Sequence, residues 1–234
     1  MVSMASLHSL TSELHAGVLT IAFICIVIVA LSQFTVRYKS MMPKRLVNAA
    51  VRVRGYAEAT SYLTAVAGVV FLLLSAWTGM YAWPQEALLD SPTIKNKITM
   101  TVFATVLWIG IVFIRTRFGR ALWTCPAMAV LYTLLAFAAM GVLGATGSLG
   151  AHLTVGESVL DPLWDLFGID IGHTYAFEAT VAAGIALASI AVFLLSLLIA
   201  RKYDLFAIRL APETCQKFIR WDEPKIAEPT AIQK

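Results

Sequence analysis

Long runs of apolar residues, separated by short polar or basic stretches, make up most of this chain. Five runs are each long enough to cross the roughly 30 Å hydrocarbon core of a bilayer as an α-helix. They cover residues 16–36, 57–83, 98–114, 122–149 and 174–200. The pattern therefore predicts an all-α integral membrane bundle of five transmembrane helices.

The composition supports a membrane protein. Hydrophobic residues make up 59% of the 234 residues and charged residues only 14%, whereas a soluble domain carries about a quarter charged residues. The three cysteines are scattered without a paired motif, which argues against a disulfide framework or a zinc site. In a soluble protein, a net charge of +4 would suggest binding to nucleic acid. In a membrane protein, the charge of each loop is considered separately. We expect the lipid bilayer, and no nucleic acid, among the partners.

The basic residues predict the orientation. Sixteen of the 18 Lys and Arg residues fall in residues 37–56, 115–121 and 201–234, and the other two are Lys95 and Lys97. By the positive-inside rule the N-terminus is outside and the C-terminus inside. The chain then divides into a four-helix membrane domain (1–158), an outer loop with the fifth helix (159–202) and a cytoplasmic tail (203–234).

All four histidines fall at the outer ends of the predicted spans. They are His8, His15, His152 and His173. Two neutral imidazoles from different helices at one depth can occupy both axial positions of a haem iron. His15 opens the first span and His152 closes the fourth, which makes them the first choice of ligands, with His8 and His173 as substitutes or a second pair.

A porphyrin also needs a slot between helices. Glycines at positions 17, 141, 144, 147 and 150 leave room for one, and Trp77, Tyr81 and Trp83 are at the right level to wall it. Lys95 and Lys97 are the two cations at that end, where propionates would need partners. Each feature also has an ordinary structural interpretation. The histidines then are headgroup-level polar residues, the lysines snorkelling anchors and the glycines close-packing positions.

Two acidic residues lie inside predicted spans, where carboxylates are costly and are functional candidates. Glu178 lies about one turn into the fifth span, and Glu58 lies at the inner mouth of the second. A proton-relay or quinone-contact role is one hypothesis for Glu178. No nucleotide-binding or hydrolase motif falls at a suitable place on the spans.

Four segments resemble a known family. They are His-Ala-Gly at 15–17, the Gly-aromatic stretch at 75–83, Lys-Asn-Lys-Ile-Thr at 95–99 and Leu-Gly-Ala-His-Leu-Thr-Val-Gly at 149–156. The family is a widespread group of small four-helix bacterial and archaeal membrane domains of unknown function, some suspected to bind b-type haem. It has a Gly-Gly-His-Leu type motif after helix 4, and the similarity covers residues 5–158. The family usually has two closer N-terminal histidines with a proline, and often a histidine where this chain has Lys95 and Lys97.

The resemblance implies haem contacts at His15 and His152. Together with the residues, it leads to the hypothesis of a b-type cytochrome-like electron-transfer subunit of a respiratory or other redox complex. We expect it in a prokaryotic plasma membrane, with other membrane subunits and a quinone as possible partners. The alternatives are a cofactor-free accessory subunit of a larger membrane complex, and a proton or metal-ion transporter-like bundle.

Overall fold

The computed structural model describes residues 3–168 and residue 198, and this part of the chain is all-helical. Four of its helices are long and apolar enough to span a membrane. They are α1 (Met4–Arg37), α2 (Lys44–Ala82), α4 (Pro92–Phe118) and α5 (Pro126–Thr154). Apart from residue 198, the predicted fifth span, with His173, Glu178 and the tail, lies outside the described residues.

Three short elements connect or follow the long helices. They are α3 (Gln85–Asp90), a 3-10 helix (Gly119–Trp123) between α4 and α5, and α6 (Asp161–Leu166) after α5. Ser91 caps α4 by accepting the backbone N–H of Ile94, and Pro92 occupies the first turn, where its missing N–H costs little.

The helices are longer than the apolar runs. The first begins at Met4 because the Ser3 hydroxyl accepts the N–H of Ser6 as an N-cap. The second begins at Lys44, directly after Pro43, so most of the basic connector forms one helix with the second apolar run. Its 39 residues extend about 58 Å, well beyond the roughly 30 Å of a hydrocarbon core. The basic stretch from Lys44 to Arg54 is thus an extension of α2.

Small residues set the packing of α1 against α2. The buried face of α2 repeats every three or four residues and includes Ala65, Gly68 and Ser75, and such residues let membrane helices approach closely. On α1, Leu19 faces Gly68 and is fully buried. These two helices make the most extensive contact in the bundle.

The long helices alternate in direction. His8 near the start of α1 contacts Ser75 near the end of α2, and Gln33 near the end of α1 contacts Arg54. The α4 and α5 helices form a second pair, and Phe23 of α1 meets Phe137 of α5 edge to face at 4.9 Å. Many large apolar side chains, such as Leu31 and Phe113, remain exposed on the outside, as expected for a surface that faces lipid.

The bundle therefore has two unlike ends. We call the end with His8, His15, Lys97 and His152 the histidine end. The opposite end, where α1 and α4 finish and α2 and α5 start, is the basic end. It holds nine of the eleven Lys and Arg residues in 3–168.

Candidate functional site

Polar side chains join α1 to α2 at the histidine end. The Nδ1 of His8 donates to the backbone carbonyl of Ser75 at 2.9 Å. The hydroxyls of Ser12 and Ser75 are 2.8 Å apart, and those of Thr11 and Thr78 are 3.3 Å apart. These contacts fix the register of the two helices beside the histidines.

Gly79 makes room for the His8 ring. A Cβ at position 79 would lie 3.0 Å from His8 Cε1, which is tighter than an ordinary contact. The space beside the glycine of the Gly-aromatic stretch is therefore occupied by a histidine of the same chain.

His15 lies deeper and is only 8% exposed. Its Nδ1 is 3.0 Å from the backbone carbonyl of Thr11, one turn earlier. A carbonyl can only accept, so Nδ1 carries the proton and Nε2 keeps its lone pair. The same reasoning leaves Nε2 of His8 as an acceptor. Both imidazoles are thus held in the tautomer that suits metal ligation through Nε2.

Lys97 of α4 reaches the same region. A Cβ at Gly150 of α5 would lie 3.0 Å from Lys97 Nζ, so the lysine arm covers that glycine. The ammonium is also close enough to His8 and His15 to interact with both electrostatically. Residues from α1, α4 and α5 that were singled out from separate stretches of sequence therefore share one space, which we call the His-Lys cluster: His8, His15, Lys97 and Gly150.

Lys95 occupies a different position from Lys97. Side chains two positions apart on an α-helix are rotated by roughly 200° about its axis. The two lysines therefore point to different sides of α4. The backbone carbonyl of Lys95 accepts the Thr99 hydroxyl at 2.9 Å.

His152 lies in the last turn of α5 and is bound by a carboxylate. Its Nε2 donates to Asp161 Oδ1 at 2.9 Å, and the two side chains are each about one-third exposed (32% and 31%). The other carboxylate oxygen accepts the Ser158 N–H at 2.8 Å. These two donors, the His152 N–H first, hold the pKa of Asp161 below its ordinary value. Asp161 also fixes the ring so that Nδ1 keeps the lone pair.

The segment after α5 folds back onto that helix. Ser148 of α5 accepts the Trp164 indole N–H at 3.0 Å and the Ser158 hydroxyl at 2.9 Å. Leu160 then lies over Gly144, where a Cβ would be 3.4 Å from its Cδ1. We call residues 158–164 the flap. Sequence reasoning missed it, because the only signal was the acidic residue before Pro162.

The slot expected from the sequence is therefore filled in part by the chain itself. Lys97 covers Gly150 and Leu160 covers Gly144, whereas Gly141 and Gly147 border open space. Two of the three aromatic residues expected to wall it lie largely on the surface. Trp77 and Tyr81 contact each other at 5.6 Å and are 49% and 64% exposed.

As metal ligands, the described residues offer single histidines and no larger cluster. In residues 3–168 no three His, Cys, Asp or Glu side chains form a group that could hold a metal ion. His15 and His152 each present one lone pair, with the other ring nitrogen bound to an oxygen, which is the usual arrangement of metal-bound histidine. The covering atoms at Gly150 belong to the end of a flexible lysine arm, which can turn toward the aqueous mouth.

Glu58 forms a second polar site at the basic end. Arg115 Nη2 donates to Glu58 Oε1 at 2.6 Å, and Arg120 lies 3.6 Å from the other oxygen. The Arg115 guanidinium also lies 5.7 Å from the centre of the Tyr62 ring. This intramembrane carboxylate therefore has a structural partner.

Comparison of the chain with protein families, curated proteins and solved structures gave no match. The family resemblance therefore stays a prediction.

Proposed function

We propose that this chain is a b-type cytochrome-like electron-transfer subunit of a membrane redox complex, with haem held at the histidine end. The observation that carries the proposal is the convergence of His15, His8 and Lys97, from α1 and α4, on one space beside the α5 glycine face. A bound haem b would supply reversible one-electron transfer between a donor and an acceptor.

His15 is the residue best equipped to hold the iron. It is buried, its Nδ1–H is bound to the Thr11 carbonyl, and Nε2 keeps the lone pair. His152 is the second ligand that we propose. Its carboxylate partner, Asp161, orients the ring, as such partners do for metal-bound histidines. His8 and His173 are the substitutes.

Lys97 supplies positive charge beside the histidines. A half-buried cation near two imidazoles favours a ligand that brings negative charge, and haem propionates carry it. Lys97 would then hold a propionate. Lys95, on another side of α4, serves the second propionate or the membrane interface.

The rest of the proposal follows from the charge pattern. Nine of the eleven Lys and Arg residues in 3–168 lie at the basic end, which supports an N-terminus outside and, with a fifth span at residues 174–200, a C-terminus inside. The proposed location is a prokaryotic plasma membrane, and the proposed partners are other membrane subunits and a quinone. The resemblance to small four-helix membrane domains suspected to bind haem points the same way.

The test is a reduced-minus-oxidised optical spectrum of the detergent-purified full chain, with a pyridine haemochrome assay for haem per chain. We expect a b-type α-band near one haem per chain. His15→Ala should lose it, whereas Thr20→Ala, which removes a hydroxyl bonded to Ala16 in the same helix, should keep it.

A variant with another iron ligand at position 15 distinguishes loss of the ligand from misfolding. His15→Met offers a thioether, so it should keep haem with a raised reduction potential. A colourless wild-type protein, or a folded His15→Ala protein with full haem content, would overturn the proposal.

A second candidate is a cofactor-free accessory subunit of a larger complex. It is favoured by the way the chain fills its own glycine positions: Leu19 covers Gly68, His8 covers Gly79 and Leu160 covers Gly144. On this view the glycines serve close packing. A colourless protein that co-purifies in fixed ratio with other membrane subunits is the expected result.

A further inference from the structure

A cavity of about 430 Å³ lies between α1 and α5 near the basic end, within the range of roughly 300–1,000 Å³ that is usual for ligand sites. Its walls are mainly apolar. They include Ala30 and Phe34 from α1 and Ala129, Val130 and Phe137 from α5. Phe34, Val130 and Phe137 are all more than half exposed on the bundle surface, so the cavity can be reached from the lipid side.

The polar side chains of the cavity include Gln33 and Arg37 on α1. The Gln33 amide already donates to the Trp123 carbonyl at 3.1 Å and accepts from Arg54 at 2.9 Å. It therefore braces α1 against its neighbours. Arg37, the last residue of α1, brings a fixed positive charge to the cavity wall.

The charge of the surroundings selects the kind of ligand. The described residues that line the cavity include no Asp, Glu or His, so a quinol would find no side chain there to accept its proton. The basic end instead concentrates cations, with Lys39 two residues beyond Arg37. Clustered cations beside membrane helices bind anionic lipid headgroups.

We propose that this cavity binds an anionic phospholipid, with one acyl chain against the apolar walls and the phosphate at Arg37. The site is separate from the His-Lys cluster, which lies at the other end of the bundle, and it does not depend on the proposed haem. Small side chains at Ala30 and Ala129 leave the space that the acyl chain fills.

The experiment is native mass spectrometry of the detergent-purified full chain, titrated with dioleoyl phosphatidylglycerol, dioleoyl phosphatidylcholine or oleate. We expect the anionic phospholipid to bind more tightly than either of the others. Arg37→Gln should weaken its binding about fivefold, the effect of one cation near an anionic lipid. Lys39→Gln removes a nearby charge that does not line the cavity and should change binding less.

A second pair of variants tests the acyl-chain part. Ala129→Leu fills the cavity and should reduce binding of the anionic phospholipid, whereas Ala138→Leu, on an exposed part of α5, should not. Equal binding of both phospholipids, or no loss in Ala129→Leu, overturns the proposal. Binding of oleate as tight as that of phosphatidylglycerol overturns the assignment to a phospholipid.

Discussion

Gly68→Ala should destabilise the bundle, because Leu19 of α1 occupies the space where a side chain at position 68 would go. A Cβ built at Gly68 overlaps Leu19 Cδ2 and lies 2.6 Å from its Cγ, but it lies 3.5 Å from the Leu19 backbone nitrogen. Carbon atoms normally approach to about 3.5–4.0 Å. The overlap with Cγ is therefore about 1 Å, and it falls on the side chain while the helix backbone is at normal distance.

Leu19 is fully buried, so it cannot simply turn into open space. Overpacking of this kind costs about 1–3 kcal/mol. At roughly 2–4 °C per kcal/mol for a chain of this size, the apparent melting temperature in detergent should lie about 2–12 °C below that of a glycine-to-alanine variant without the overlap. Part of the loss is offset because alanine is a better helix former than glycine by about 1 kcal/mol.

Thermal unfolding followed by size-exclusion chromatography or intrinsic fluorescence is the assay. Gly110→Ala is the matched control, since no atom lies within 4 Å of its added Cβ, and it should be neutral or slightly stabilising. The double variant Gly68→Ala/Leu19→Ala should be more stable than the sum of its single variants predicts, by about 0.5–3 kcal/mol. Additive effects, or a Gly68→Ala protein as stable as Gly110→Ala, would refute the close packing of α1 on α2.

Two further predictions concern the charged contacts. Glu58→Gln leaves the Arg115 guanidinium, whose side chain is only 12% exposed, without its carboxylate, and should cost about 3–5 kcal/mol by thermal unfolding. Arg120→Gln removes a partner that is 82% exposed and should cost about 0–1 kcal/mol; equal losses would contradict the assigned ion pair. Asp161→Asn removes the charged acceptor for His152 and should speed amide hydrogen exchange in the flap (residues 158–164) without changing exchange in α1. Unchanged exchange in the flap would show that this contact does not hold the flap on α5.

The sequence by itself determined the four long apolar helices of residues 3–168, which are suited to span a membrane. The length of each apolar run and its polar boundaries are local properties, and a hydrocarbon core requires every backbone group in a span to be bonded within a helix. The positions of the basic residues likewise define one end of the bundle before any helix is packed. The histidines could be placed at the other end on the same grounds. When successive helices alternate in direction, the start of the first run and the end of the fourth lie on the same side.

Only the tertiary structure decided which side chains meet. That Lys97 lies over Gly150 beside His15 depends on the rotation and register of three helices. No local pattern fixes those quantities. The pairing of Glu58 with Arg115, 57 residues apart, and the return of the flap onto Ser148 have the same origin. Close approach at small residues such as Gly68 sets the helix spacing, and that spacing then determines which polar groups come within bonding distance.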